Sequence, residues 1–400
     1  MAIDEYQRPH FALLPFMAQG HMIPMVDIAR LLAKRGATVT ILTTPHNGKR
    51  FENVINRAIR SQLNIRVLHL KFPGVEAGLP EGCENFDMLR TMEDAAKFFV
   101  ALGMLKDQVR EIVEELRPRA NCLIADMCFT WASSVGKALH IPRLTFHGMG
   151  CFSLLCMYML KSSKDFFDAI DSDFEYFVVP GLPDRIEITK AQLRGTVNQL
   201  DSNWIEIRDQ MRQAEEEAFG AVINTFHDLE PEYVKEYMKV KDGKKLWSIG
   251  PVSLCNKDGL DIAERGNKAS INEDKCLKWL DLQEKVSVIY VCLGSLSRVS
   301  TLQLMELGLA LRDSDRPFIW VIRNASDELK SMLFEEKVDG RGLLIHGWAP
   351  QVMILSHPSV GGFLTHCGWN STLEGITAGL PMITWPVFAE QFCNERFIVM

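Results

Sequence analysis

Short apolar runs alternate along the chain with segments of helical periodicity, and this alternation predicts βαβ units around a parallel sheet. In the first half the apolar runs predict strands at 11–15, 39–42, 65–70, 122–125, 143–146, 221–224 and 246–249. Between the first two runs, Met25, Ile28, Ala29 and Leu32 follow an i, i+3, i+4, i+7 spacing. That spacing predicts a helix that packs on the core, with Pro24 in its first turn and Gly36 at its end.

Residues 250–275 interrupt this pattern with a polar, glycine-bearing and weakly periodic stretch, typical of a linker or a long surface loop. A second alternating run predicts strands at 286–292, 318–322, 343–346 and 360–364, and a helix at 301–311. We therefore predict an α/β protein with two doubly wound domains, 1–249 and 276–400. In such folds ligands bind at the carboxyl ends of the strands, here facing a cleft between the domains.

Composition and charge narrow the class of protein. The 400 residues are 47 % hydrophobic and 24 % charged, as in ordinary soluble chains, and the net charge of −7 argues against a nucleic acid as partner. The acidic start and the lack of an apolar stretch of about 20 residues predict neither a signal peptide nor an integral membrane segment. Ten scattered cysteines without a C-x-x-C pair fit reduced thiols in the cytoplasm.

The common fingerprints of dinucleotide-binding, P-loop and α/β-hydrolase proteins are absent, so the candidate residues are polar groups that follow strands. His21 follows the first predicted strand and Asp126 follows the fourth. Neighbouring parallel strands would bring both to one rim, where a carboxylate on one ring nitrogen leaves the other nitrogen as a base. The competing interpretation for each is a helix cap or a packing residue.

A strand-to-helix turn, 365–374, carries the densest set of polar residues. Its backbone N–H groups, with His366, Asn370 and Ser371, predict an anion site suited to a diphosphate. Glu374 follows one helical turn later, where a ribose diol would lie. This turn contains no carboxylate cluster and no Asp-x-Asp motif for a metal. The alternative is an Asn/Ser cap on a structural helix.

The 44 residues from Trp348 to Gln391 resemble, without a gap, the signature box of plant secondary-product UDP-glycosyltransferases of family 1. The segments 15–24 and 125–127 resemble the family's catalytic-histidine and aspartate segments, and 291–295 and 356–363 are also similar to it. The resemblance covers essentially the whole chain. The nearest clade glucosylates flavonoids, coumarins, cytokinins, triterpenoids and other small hydroxylated molecules.

The resemblance implies a GT-B fold, in which two Rossmann-like domains face a cleft, with the acceptor in the N-terminal half and the sugar nucleotide mainly in the C-terminal half. It implies an inverting O-glucosyltransferase that uses UDP-glucose and needs no metal or other cofactor, with His21 as base and Asp126 as its partner. Family members continue beyond the box, so the apolar end at Phe397–Met400 suggests an incomplete C-terminal domain, less stable and less active than a longer chain.

The resemblance also assigns binding residues. The donor set is Trp348 and Ala349 for the uracil, Gln351 and Glu374 for the ribose, Ser295, His366, Asn370 and Ser371 for the phosphates, Trp369, Glu390 and Gln391 for the hexose, and Gly20. Residues near the first domain's sheet rim predicted to line the acceptor pocket are Phe16, Met17, Phe146, His147 and Met149.

Two other function classes stay open at this point. The first is a sugar-nucleotide-binding protein that lacks transferase activity because its C-terminal domain is incomplete. The second is a sugar-nucleotide epimerase, which the signature box disfavours. In each case the partners would be small molecules, and we expect a monomer.

Overall fold

The computed structural model describes residues 8–193, 202–323 and 340–400. These residues form two compact units. The first contains residues 8–158 and 202–255, and the second contains residues 159–193, 256–323 and 340–400.

The first unit is built on a seven-stranded parallel sheet with the strand order β3-β2-β1-β4-β5-β8-β9. Its strands are β1 His10–Leu14, β2 Thr38–Thr43, β3 Ile65–His69, β4 Cys122–Asp126, β5 Arg143–His147, β8 Gly220–Ile223 and β9 Lys245–Ser248. Alternate residues of a strand face opposite sides of the sheet. Leu14 and Leu123 accordingly belong to one apolar cluster, and Leu13 and Ile124 belong to another.

Helices connect these strands, as parallel pairing requires. Those that begin in the first unit are α1 Gln19–Lys34, α2 Pro45–Lys49, α3 Glu52–Arg60, α4 Met92–Met104, α5 Lys106–Glu115, α6 Ala132–Ala138, α7 Cys151–Ser162, α9 Ser202–Glu216 and α10 Pro231–Val240. Short 3₁₀ turns lie at Phe86–Met88 and Val252–Cys255.

The second unit contains a five-stranded parallel sheet with the order β12-β11-β10-β13-β14. Its strands are β10 Val288–Cys292, β11 Phe318–Ile322, β12 Gly342–His346, β13 Val360–Thr365 and β14 Met382–Thr384. A small antiparallel pair, β6 Phe177–Val178 and β7 Glu187–Ile188, also belongs to this unit, with a 3₁₀ turn at Ala191–Leu193. Its helices are α8 Lys164–Asp168, α11 Gly259–Ala263, α12 Glu273–Asp281, α13 Thr301–Asp313, α14 Gln351–Leu355, α15 Trp369–Ala378 and α16 Gln391–Val399.

Every predicted strand is confirmed, with ends that shift by a residue or two. The first helix begins earlier than expected, at Gln19, and contains Pro24 in its interior. His21 therefore lies in the first turn of α1.

The two units differ from the predicted domain ranges in two places. Residues 250–255 belong to the first unit, and 256–275 belong to the second, where α11 packs against α14. Residues 159–193 also belong to the second unit, because β7 packs against α16 and the Arg396 guanidinium lies 5.5 Å from the centre of the Tyr176 ring.

All ten cysteines are free thiols. Within the described ranges, the longest apolar helices are too short or too polar to cross a membrane.

Candidate active site

His21 and Asp126 meet at the carboxyl ends of two neighbouring strands. The register pairs Leu14 of β1 with Ala125 of β4, so the residues that follow these strands emerge side by side. His21 Nδ1 lies 2.7 Å from Asp126 Oδ2. The Asp126 side chain is fully buried, whereas the His21 side chain is 28 % exposed. The sequence-based expectation of one rim for these two residues is met by this geometry.

The second carboxylate oxygen of Asp126 is also held in place. Asp126 Oδ1 accepts a hydrogen bond of 3.0 Å from the backbone N–H of Cys128. Burial and the charge of Asp126 raise the pKa of the Cys128 thiol well above its usual value, so this cysteine stays a neutral thiol. With both oxygens engaged, the carboxylate has one orientation in which to hold the imidazole.

An aromatic cluster lies beside His21. The Phe16 ring centre is 5.1 Å from that of His21, and Phe16 stacks on Phe99 at 5.9 Å. Trp204 meets the edge of Phe99 at 5.4 Å. Phe86 and Phe98 complete the cluster around Phe16. Of these residues, sequence analysis singled out Phe16 alone.

The other predicted pocket residues have different surroundings. Met17 and Phe146 are fully buried in the two cores of the first unit, whereas Met149 is partly exposed. The sequence predicts that Met17 and Phe146 line an acceptor pocket. In the structure, neither side chain has accessible surface. In an α/β fold, apolar side chains at strand ends pack against the covering helices, and those that do so are not available to a ligand.

His147 is likewise buried, and its ring serves an internal polar network. Its Nε2 lies 3.1 Å from Glu215 Oε1, and Glu215 also binds the Tyr237 hydroxyl and the Lys241 ammonium. Burial opposes ionisation of Glu215, but His147 and Lys241 outweigh it and hold the pKa of this carboxyl well below its usual value. This network occupies the Nε2 side of His147.

In the second unit, the turn between β13 and α15 presents the amide end of a ten-residue helix. Gly368 precedes the helix, and Asn370 and Ser371 lie in its first turn. The Asn394 amide donates a 2.8 Å hydrogen bond to the Cys367 carbonyl, which pins the turn from α16. The N–H groups of a helix's first turn point toward this end, and together with the helix dipole they make it favourable for anions.

His366 lies at this turn with glycines on two sides. A Cβ built on Gly294 would lie 2.6 Å from His366 Cε1, and one on Gly368 would lie 2.9 Å from the same atom, so the ring needs glycine at each position. Burial, with the positive charge of Arg323, lowers the pKa of His366 to about 4. His366 is therefore neutral near pH 7 and can offer a hydrogen bond but no positive charge.

The Trp348 backbone is held by a reciprocal pair of hydrogen bonds with Ser270. The Trp348 N–H donates to Ser270 Oγ at 2.9 Å, and the Ser270 N–H donates to the Trp348 carbonyl at 2.8 Å. The Arg323 guanidinium lies 5.0 Å from the centre of the indole ring. Arg323 also donates a 3.3 Å hydrogen bond to the carbonyl of Ser295, another predicted donor residue.

Gln351, Ser371 and Glu374 form one hydrogen-bonded group. The Gln351 amide donates to Ser371 Oγ at 3.1 Å and to Glu374 Oε2 at 2.7 Å. The Tyr290 hydroxyl donates to Gln351 Oε1 at 3.3 Å. Arg265 binds Glu374 Oε1, and both of these side chains are buried.

The predicted hexose contacts are positioned by the end of the box. Gln391 is buried, and its Oε1 accepts hydrogen bonds from the backbone N–H groups of Val387 at 2.9 Å and Phe388 at 3.0 Å. Because the oxygen accepts these two bonds, the NH₂ group is the part of the Gln391 side chain that can donate a hydrogen bond to a ligand. Trp369 is buried against Phe397, with ring centres 6.1 Å apart, and Glu390 directly precedes α16. Ala349 is buried, and Gly20 lies in the first turn of α1.

Three polar residues escaped sequence analysis: Arg265, Ser270 and Arg323. Arg265 and Ser270 lie in the stretch that composition marks as a linker, and nothing in its local pattern points to Glu374 or Trp348. Arg323 directly follows a predicted strand, which is the signal that could have identified it. For the aromatic cluster, the signal was the apolar run that contains Phe98 and Phe99. Within the described part of the chain, no three His, Cys, Asp or Glu side chains are grouped to hold a metal ion.

The chain is similar to known UDP-glycosyltransferases. A family model described as UDP-glucoronosyl and UDP-glucosyl transferase matches residues 271–400. UDP-glycosyltransferase 73C3 of Arabidopsis thaliana is 57 % identical over 98 % of this chain and 79 % of its own length. UDP-glycosyltransferase 73C6 of the same plant is 54 % identical over 100 % of this chain and 82 % of its own length.

Solved structures show the same fold. The crystal structure of Glycyrrhiza uralensis UGT73P12 complexed with glycyrrhetinic acid 3-O-monoglucuronide matches with a TM-score of 0.90 and 36 % identity, covering 98 % of this chain and 80 % of that one. Arabidopsis thaliana UGT89C1 complexed with UDP-L-rhamnose matches with a TM-score of 0.77 and 31 % identity, over 98 % and 83 % of the two chains. The chain therefore belongs to the plant family 1 UDP-glycosyltransferases, enzymes of the GT-B fold that transfer a sugar from a UDP-sugar.

Proposed function

We propose that this enzyme transfers glucose from UDP-glucose to a hydroxyl group of a small lipophilic acceptor, a flavonoid, another phenolic compound or a triterpenoid, and gives the β-glucoside and UDP. The observation that carries the proposal is the 2.7 Å contact between His21 Nδ1 and the buried Asp126 carboxylate. An ionised carboxylate only accepts hydrogen bonds, so it selects the tautomer with hydrogen on Nδ1. Nε2 then carries a lone pair on a ring that is partly exposed.

In the proposed reaction, His21 Nε2 takes the proton of the acceptor hydroxyl as its oxygen attacks the anomeric carbon. The new C–O bond forms on the face opposite UDP, and the bond from the anomeric carbon to the β-phosphate oxygen breaks. Its electron pair leaves with UDP, and the proton stays on His21, where Asp126 stabilises the imidazolium. Attack on the opposite face converts the α-linked donor into a β-linked product, without a covalent enzyme intermediate.

The departing diphosphate gains negative charge. Groups of the second unit can stabilise this charge. The amide end of α15, Asn370 and Ser371 supply hydrogen-bond donors. His366 contributes as a neutral group, because its pKa is about 4. We expect these groups to replace a divalent cation, so that activity persists in excess EDTA.

The donor and acceptor choices rest on separate observations. For the donor, the NH₂ group of Gln391 is aimed by two backbone hydrogen bonds to its oxygen, which supports binding of a hexose hydroxyl. For the acceptor, the aromatic cluster of Phe16, Phe99 and Trp204 beside His21 favours a flat apolar molecule. Relatives have been solved with quercetin and with pterostilbene, the latter together with UDP-2fluoro-glucose.

The test is product analysis by mass spectrometry with UDP-glucose, UDP-rhamnose and UDP-glucuronic acid against a panel of flavonoids, coumarins, cytokinins and triterpenoids. With the best pair, His21→Ala should lower kcat by about 100-fold or more, and Asp126→Asn should lower it by a smaller factor. Calorimetry should show unchanged affinity for UDP in both variants. His227→Ala, at an exposed histidine of the same unit, serves as the control.

Each other outcome has a defined meaning. Full turnover in His21→Ala would refute the assignment of the base. UDP-glucose binding without transfer to any acceptor would favour the sugar-nucleotide-binding alternative, and conversion of the donor sugar without an acceptor would indicate an epimerase. We further propose a cytoplasmic monomer, which light scattering of the purified protein and localisation of a tagged chain would check.

A further inference from the structure

Arg323 occupies a central place at the carboxyl edge of the second unit's sheet. It directly follows β11, which lies between β12 and β10 in the strand order. The chain continues from β12 to Trp348 and from β10 to Ser295. One side chain is thus within reach of both the residue assigned to the uracil and a residue assigned to the phosphates.

The contacts of Arg323 use this position. Its guanidinium covers one face of the Trp348 indole at 5.0 Å, and Nη1 donates to the Ser295 carbonyl at 3.3 Å. The Trp348 backbone is held by Ser270, but the indole Nε1 has no hydrogen-bond partner among the residues that the structure describes. The cation–π contact with Arg323 is therefore the polar interaction that orients the ring.

The charge of Arg323 is not neutralised by an ion pair in the described part of the chain, and its buried Nε has no hydrogen-bond partner there. Arg323 and Trp348 are both partly buried, and partial desolvation strengthens a cation–π contact.

We propose that Arg323 is a positioning residue for the sugar donor: it fixes the Trp348 indole and the turn at Ser295 relative to each other, so that base stacking and phosphate binding occur on one rigid edge. This inference rests on the proposed assignment of Trp348 and Ser295 to the UDP-sugar. Because the guanidinium covers one face of the indole, the uracil stacks on the opposite face.

The experiment is a double-mutant cycle read by calorimetry with UDP and with uridine. Arg323→Met removes the charge and keeps much of the side-chain volume, and we expect it to weaken UDP binding about tenfold. In a Trp348→Ala background the same change should weaken UDP binding by less than about twofold, because the ring that Arg323 positions is gone. Uridine binding should also weaken in Arg323→Met, since the effect acts through the base. KM for UDP-glucose should rise more than kcat falls.

Arg341→Met is the matched control. Arg341 precedes β12, where its guanidinium pairs with Asp315, at the opposite end of the strands from Arg323. This variant should bind UDP and uridine like the parent enzyme. Arg323→Lys retains a cation without the planar guanidinium and should lose affinity to an intermediate degree. If Arg323→Met fails to fold, the cycle is run with Arg323→Lys, for which the same non-additivity is expected.

The outcomes separate this inference from the proposed function. Unchanged UDP affinity in Arg323→Met, or a loss of equal size with and without Trp348, would overturn the positioning role. A loss for UDP but none for uridine would also overturn it, since it would place Arg323 on the phosphates alone. If Trp348→Ala itself leaves UDP binding unchanged, the donor assignment fails, whatever Arg323 does.

Discussion

At the scale of single residues, the chemistry of the candidate side chains is set by their surroundings more than by their type. His21 and His366 are both histidines beside a strand end. His21 is partly exposed and bonded to a buried carboxylate, an arrangement that suits a proton acceptor. His366 is held neutral by burial and by the charge of Arg323, an arrangement that suits a hydrogen-bonding group.

The neutral state of His366 predicts a pH dependence of stability. The pKa of His366 is 6.5 in the unfolded chain and about 4 in the folded chain. Between these two pH values the unfolded chain therefore binds a proton that the folded chain does not. Stability contributed by His366 is therefore present above about pH 6.5 and is lost as the pH falls toward 4. In urea unfolding from pH 7 to pH 4, the parent enzyme should lose more stability than His366→Gln, by up to about 3 kcal/mol. His227→Gln, at an exposed position, should follow the parent curve, and parallel curves for His366→Gln would contradict the prediction.

At the scale of elements, the site is made by turns at strand ends, and glycine lets these turns approach one another. Gly294 follows β10 with φ of +80° and lies against the His366 ring. Gly379 ends α15 with φ of +68° and has open space around it. The two glycines share a backbone requirement and differ in what surrounds them.

Alanine at these two positions should therefore have different effects. Gly379→Ala bears only the strain of a left-handed residue, about 1 kcal/mol. Gly294→Ala bears similar strain and must also displace His366, so we expect at least twice that loss of stability together with weaker UDP binding. Thermal unfolding and calorimetry of the two variants test this, and equal losses would show that the close approach at Gly294 has no energetic weight.

The strands were predictable at this scale because parallel sheets bury both faces, and runs such as Phe318–Ile322 are apolar throughout. The start of α1 was not predictable in this way. Pro24 suggested that the first turn contains residue 24, whereas the helix begins at Gln19. Proline in a helix interior costs an intrahelical hydrogen bond, a cost that the buried packing of Met22 and Met25 offsets.

At the scale of the whole molecule, the proposed chemistry is divided between the two units. The His21–Asp126 pair belongs to the first unit, and the set around Trp348, Glu374 and the α15 turn belongs to the second. Each unit has its own sheet and its own apolar clusters. Ligand binding should therefore affect the two units unequally.

Hydrogen exchange measured by mass spectrometry would test this division. Ligand binding slows the local opening of the segments that it contacts. UDP should thus slow exchange at 293–297, 347–351 and 366–374 in the second unit more than in helix α5 of the first. The Trp348→Ala variant, measured at the same UDP concentration, should lose this protection. Equal protection of α5 and the α15 turn would contradict the division.

By itself, the sequence determined the two α/β halves, the strands and the residues that follow them, because these depend on local periodicity and on which side chains stand at strand ends. It placed His21, Asp126 and the polar residues of the 365–374 turn as candidates for the same reason, whereas the other box residues followed from the family resemblance. Only the tertiary structure decided that residues 159–193 join the second unit, that Arg265 pairs with Glu374, and that Arg323 links Trp348 to Ser295. These contacts join residues far apart in the chain, and their partners are selected by packing and charge in three dimensions, which no local pattern encodes.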